Sequence, residues 1–323
     1  MYSGLNAKIK AMRGKFLKRE DYEALCKAGT LADFGAALAE RGAYGRGALE
    51  GGPEPSRHIM EQRLAQTLRE DFSRISDFIT DLNLKRFLEA FFLKFEINGL
   101  TVSLSPIAGL TPRAEEFLEK LRGSRLYEAS DIMAEKEKPF ELETHLDIYY
   151  YLRVWRLKDK YLRGTNKQVA EQLIGGEIDL KNILWINRMK RFYSVDQTFV
   201  YTHLIPIHYR LKAADINRMA KAGTRSELQE ESGRTAYGKL LEDDNLDRAF
   251  VGAMAGSCRA AAREYPHSIA PVLAYIFFKD LEIKNITSVL EGVRYRLPES
   301  EILKRCDGLS LACGPPAGVK GAC

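Results

Sequence analysis

The chain has 323 residues, 45% apolar and 10% aromatic, with 49 basic against 44 acidic residues and a net charge of +5. That length can bury an ample core shared by two or three subdomains, and the aromatic content argues against a disordered chain. The near-balance of charge suits contact with acidic surfaces but argues against a dedicated nucleic-acid binder.

Leu5, Ile9, Met12 and Phe16 share a helical face, while Lys8, Lys10, Arg13 and Lys15 break any apolar run. The amino terminus therefore reads as an amphipathic helix and not as a signal peptide. Residues 1–45 read as helix, turn, helix. In that turn Gly29 is expected in the left-handed conformation that ends a helix. Thr30 then caps the next helix, with Asp33 reaching back three residues later. The Gly/Pro-rich stretch 42–55 reads as a flexible connection.

From Ile59 to Phe95 the pattern is helical again, with Phe87, Leu88, Phe91, Phe92 and Phe95 on one face. Asn98-Gly99 is expected to make an irregular break. Thr111-Pro112 opens a further helix that Gly123 ends. Tyr149 to Arg163 forms an amphipathic helix with a core stripe of Tyr150, Val154, Leu157 and Tyr161. A basic stripe of Arg153, Arg156, Lys160 and Arg163 runs beside it. Trp185, Ile186, Met189, Phe192 and Tyr193 keep the spacing. Residues 227–247 are acidic and read as a solvated helical surface. The longest apolar run, Ile269 to Phe278, stops at Lys279-Asp280, too short for a bilayer span. Ile286, Val289, Leu290, Val293 and Leu297 continue the helical period up to Pro298. The 3.6-residue period throughout sets the fold class as all-α.

Two short motifs alternate along the chain, each recurring roughly every hundred residues. One is a glycine-hydroxyl pair: Gly29-Thr30, Gly123-Ser124 and Gly223-Thr224. Lys27-Ala28-Gly29-Thr30 is repeated as Lys221-Ala222-Gly223-Thr224, and an Ala-Tyr-Gly follows both, at 43–45 and 236–238. The other opens with an acid: Glu96-Ile97-Asn98, Asp179-Leu180-Lys181-Asn182 and Glu282-Ile283-Lys284-Asn285. These acids are expected near helix N-termini, where capping and the helix dipole favour them. The alternation divides the chain into helical units 1–105, 106–193 and 194–305, with a Gly/Pro-rich disordered tail at 306–323.

Chemistry-bearing motifs are scarce. Gly233 to Lys239 follows the phosphate-loop pattern, but Leu240 stands where a magnesium-binding Ser or Thr belongs and no strand precedes it. It reads as a helix end. Five cysteines include no CxxC pair, and Cys306, Cys313 and Cys323 read as reduced thiols of the tail. His203 and His208 flank Pro206 and share no regular face. No catalytic, cofactor-binding or metal-ligating residue is assigned, and no cofactor is expected.

The run from Tyr265-Pro266-His267 through Lys284-Asn285-Ile286 resembles the C subunit of the bacterial and archaeal V/A-type rotary ATPases, the counterpart of the d subunit in eukaryotic vacuolar ATPases. Residues 291–299, the opening 2–12, Tyr149-Tyr150-Tyr151 through Trp155 and the Asp179 segment extend the resemblance over about residues 1–305. The family usually has Phe where His267 stands, often a base where Thr287 stands, and often Gly where Arg296 stands.

The resemblance implies a funnel of three similar helical subdomains on the cytoplasmic face of a membrane. There it would be a non-catalytic coupling subunit, peripheral to the membrane. It would link the central-stalk subunits to the membrane rotor (proteolipid) ring and pass torque during ATP-coupled movement of protons or sodium ions. Nucleic acid is not an expected partner. Arg188, Lys190 and Arg191, with Arg294 and Arg296, follow equivalent segments of units two and three and are expected to face a partner. The other readings are a helical-repeat scaffold unrelated to a rotor and a helical nucleic-acid binder, which the basic-aromatic Tyr149–Arg163 segment would serve.

Overall fold

Apolar residues three and four apart become buried helix faces in a computed structural model that describes residues 2–41, 44, 57–103, 139–192, 197–238 and 245–306. Among the described residues all thirteen regular elements are α-helices. The chain divides into two compact units, Met1–Thr80 with Asp247–Cys323, and Asp81–Leu246.

The first unit joins both ends of the chain. It contains α1 (Tyr2–Arg13), α2 (Arg19–Cys26), α3 (Leu31–Ala39) and α4 (Arg57–Ser76). The second unit holds α5 (Leu82–Ser103), α6 (Pro139–Tyr161), α7 (Gly164–Phe192), α8 (Gln197–Thr202), α9 (Ala213–Lys221) and α10 (Arg225–Gly233). The first is completed by α11 (Leu246–Glu264), α12 (Ala270–Arg294) and α13 (Glu299–Arg305).

In the first unit α12 is the axis on which α1 to α4 and α13 pack. Its core joins Leu17, Tyr22, Leu25, Phe34 and Leu38 to Ile286, Val289, Leu290 and Val293. Each large apolar side chain buried in this way contributes about 1.5–3 kcal/mol. Burial does not end with the apolar run at Phe278. Lys279 is 0% exposed, and α12 stays buried beyond it because the ammonium is paired inside. Cys306 is also buried, its thiol directed at the carbonyls of Asn285 and Ile302. Residues 307–323, with Cys313 and Cys323, lie outside the described residues.

In the second unit α5 packs along α6, and α6 along α7. Phe87, Leu88, Phe91 and Phe92 are buried on one face of α5. On α6 Tyr150 and Val154 are buried with Tyr151, and Tyr150 donates its hydroxyl to Phe91 O at 3.0 Å. Lys158 is buried too; its ammonium lies 4.1 Å from the centre of the Trp155 ring and 3.0 Å from Glu171 Oε1. The helix of α5 runs through Asn98-Gly99 to Ser103, where the sequence suggests a break. The 42–55 connection (Tyr44 apart) and the Thr111–Gly123 helix lie outside the described residues, as does the turn at Gly123-Ser124.

The repeated turns keep their caps but not their expected glycine geometry. Thr30 Oγ1 accepts the Asp33 N–H at 3.1 Å, and Thr224 Oγ1 accepts the Glu227 N–H at 3.2 Å. Among the described glycines only Gly164 has a positive φ, so Gly29 and Gly223 are not left-handed. Both helices have ended before the glycine, at the caps Lys27 and Ala222. The glycine instead precedes the next N-cap, where the Gly223 N–H donates to Glu227 Oε2 at 2.7 Å.

Candidate functional site

The acids of the second motif do not open helices. Glu96, Asp179 and Glu282 lie inside α5, α7 and α12, because the apolar spacing around each continues without interruption. In two of them the carboxylate serves segments far away in the chain; the side chain of Glu96 lies outside what is described.

Glu282 is buried in the first unit. Its Oε1 accepts the Leu17 N–H at 2.6 Å, and its Oε2 accepts the Tyr44 hydroxyl at 2.6 Å and the Lys279 ammonium at 2.8 Å. The same ammonium donates to Tyr44 Oη at 2.8 Å and sits 4.1 Å from the centre of that ring. Burial, followed by the Glu282 charge, pushes the Tyr44 pKa well up, so the phenol stays a donor.

Asp179 repeats this node in the second unit. Its Oδ2 accepts the Arg210 N–H at 2.7 Å, the Leu211 N–H at 2.9 Å and the Tyr237 hydroxyl at 2.9 Å. Its Oδ1 accepts the Tyr209 N–H at 3.2 Å. Burial, then the Asp179 charge, raises the Tyr237 pKa and keeps that phenol protonated. No lysine is needed here because three backbone donors converge on the anion. Gly176 stands three residues before Asp179, where Lys279 stands before Glu282.

The correspondence continues outward. Three residues after each acid comes an asparagine. Asn182 exchanges two hydrogen bonds with the Ile205 backbone, at 2.9 and 3.0 Å, and the Asn285 side chain bonds the Tyr22 hydroxyl. Leu17 and Leu211 each precede a helix whose N-cap N–H is taken by an aspartate, Lys18 by Asp21 and Lys212 by Asp215. The chain order is reversed between the copies. The helix bearing Asp179 precedes the segments it holds, whereas that bearing Glu282 follows them by 265 and 238 residues.

Both carboxylates are buried and their oxygens are taken up by donors from neighbouring segments, so they fasten helices. Local sequence pattern does not single out Tyr44, Tyr237 or Lys279. The signal that could have found the tyrosines is the twin Ala-Tyr-Gly, which follows the two best-matched glycine-hydroxyl turns.

The other expected positions scatter. Arg188 is exposed near the end of α7, Lys190 is half-buried, and Arg191 lies on the last turn. Arg294 and Arg296 are exposed at the end of α12, on either side of Tyr295, which is 63% exposed. His203 stacks on Phe199 at 3.9 Å and its Nδ1 lies 2.9 Å from Phe199 O; His208 is exposed. Gly233 ends α10, so the phosphate-loop-like stretch begins at a helix end. Among the described residues no three His, Cys, Asp or Glu side chains form a metal-binding group, and no helix is long and apolar enough to cross a membrane.

A family model described as ATP synthase (C/AC39) subunit matches residues 5–108 and 108–305. The chain belongs to this family. Curated proteins named as the C subunit of A-type ATP synthases are similar to it. That of Methanosphaera stadtmanae is 24% identical over 190 residues, 55% of this chain and 49% of the relative. That of Methanobrevibacter smithii is 22% identical over 175 residues, 50% of this chain and 45% of the relative. That of Thermococcus gammatolerans is 25% identical over 345 aligned positions, 96% of this chain and 91% of the relative. The chain thus spans about half of the first two relatives and most of the third. As a member of the ATP synthase (C/AC39) subunit family it is a non-catalytic component.

Proposed function

We propose that this chain is the coupling subunit that joins the central stalk of a V/A-type ATPase or ATP synthase to its membrane rotor ring. It passes torque between them during ATP-coupled proton or sodium transport, from a peripheral position on the cytoplasmic face. The family match across residues 5–305 carries this reading.

The packing supports it physically. A torque-bearing part must resist shear, and dense interiors with low compressibility do so. The Glu282 and Asp179 nodes add directional bonds between a long helix and the short helices beside it. Removing one partner of such a bond leaves a buried polar group unmatched. The proposed architecture is a funnel of three related units, 1–105, 106–193 and 194–305, and the two matching nodes are its support. Arg188, Lys190, Arg191, Arg294 and Arg296 are proposed to meet neighbouring subunits.

Affinity purification of the tagged chain from detergent-solubilised membranes tests this reading. The expected companions are a proteolipid ring and central-stalk subunits. Recovery of unrelated soluble proteins without them favours a scaffold and contradicts the proposal.

A further inference from the structure

Helix α12 ends with two closing hydrogen bonds, Arg296 N–H to Val293 O at 3.0 Å and Leu297 N–H to Gly292 O at 2.9 Å. The residue between these closures is left-handed, a position that glycine usually fills because it has no Cβ to clash. Here it is Arg296, with φ of 54°, the only non-glycine with positive φ among the described residues. The backbone gains these closing bonds from the left-handed turn, but the arginine side chain adds nothing to them. The Arg296 side chain is exposed and makes no hydrogen bond or ion pair among the described residues.

Arg296 follows the most exposed aromatic of the large hydrophobics among the described residues, Tyr295, over whose ring the Arg294 guanidinium lies at 5.5 Å. A basic residue complements the end of a helix dipole, but Arg294 already does that in the last turn without strain. Arginine and tyrosine are the residue types that dominate binding energy at protein interfaces. Guanidinium forks match carboxylates in pairs.

We propose that Arg294, Tyr295 and Arg296 form a hook for a carboxylate-bearing protein segment of a neighbouring subunit, and that Arg296 holds its strained position to supply the second guanidinium. This rests on the reading of the chain as part of a rotary complex. The surroundings favour a localised carboxylate partner over a broad anionic membrane surface. Glu299 is exposed just beyond Pro298 and interrupts the basic patch that an extended negative sheet would need, while Glu301 is held by Arg305 at 2.7 Å.

The test pairs stability with binding, using the full chain returned to the complex from which it has been stripped. Arg296→Gly and Arg296→Asn both tolerate the left-handed backbone and remove the guanidinium. Both are expected to melt at or above the wild-type temperature yet to rebind about tenfold more weakly. Tyr295→Ala is expected to weaken rebinding to a similar degree. Rebinding of Arg296→Gly and Arg296→Asn with wild-type affinity overturns the proposal. So does loss of binding to phosphatidylglycerol vesicles while rebinding to the complex is unchanged. Failure of the wild-type chain itself to rebind overturns the underlying reading instead.

Discussion

Tyr44 donates its hydroxyl to Glu282 at 2.6 Å although 238 residues separate them, and Tyr237 does the same for Asp179 at 2.9 Å. One fastening is thus built twice, from opposite chain orders. The short-helix segments it holds, at Leu17 and Leu211, belong to matching turns.

The first node is expected to be expensive to break from the acid side. Glu282→Ala leaves the Lys279 ammonium buried without its counter-charge, costing about 3–5 kcal/mol. Tyr44→Phe removes one donor and leaves the ion pair, costing about 1–2 kcal/mol. Urea titrations of both variants check the order. Equal losses would show that the ion pair is not what the node depends on.

In the second node the Asp179 carboxylate holds three consecutive amides. Asp179→Ala should speed hydrogen exchange at Tyr209, Arg210 and Leu211 by about tenfold or more, since local opening there loses its opposing bonds. Amides of α6 should change much less. Exchange at Tyr209 to Leu211 that stays at the wild-type rate would remove Asp179 as their anchor.

Glu177 gives a pH signature. Burial tends to raise its pKa, but the ammonium of Lys94, 2.8 Å away, with help from Lys181 and Tyr151, leaves the carboxyl below the usual glutamate range. A depressed folded value means the stability is complete above the unfolded value of about 4.3 and is lost as pH falls through the folded value. Wild-type melting temperature should therefore fall on acidification below about pH 4.3, and Glu177→Gln should flatten that fall. Parallel curves for the two proteins would show that this pair is not linked to acid stability.

The end of α12 carries two opposite glycine effects. Arg296→Gly should stabilise the fold by about 1 kcal/mol, because glycine relieves the left-handed strain. Gly292→Ala should destabilise it by about 1–3 kcal/mol, as a Cβ there would lie 2.5 Å from Ile302 Cγ1 in a packed core. Thermal melts of the two variants should shift in opposite directions.

The helices were legible because apolar spacing is a local property: Phe87, Leu88, Phe91 and Phe92 announce one face of α5 from the sequence alone. The caps at Thr30 and Thr224 were legible for the same reason, since cap and acid lie three residues apart. What stayed hidden depends on distant partners. Nothing beside Glu282 tells that it serves Leu17 and Tyr44, so an acid in a repeated segment looks like a helix opener. Lys279 reads as the end of an apolar run until its buried counter-charge is known. The strain at Arg296 was hinted at by a glycine in the resembling family, but only the backbone angle turns that difference into an energy.

The most direct measurement of the coupling role is ATP-driven ion transport in vesicles carrying the purified complex, before removal of this chain, after removal and after its return. A part that transmits torque should leave ATP hydrolysis running in its absence while transport stops, and its return should restore transport. Transport that continues undiminished without the chain would contradict the role.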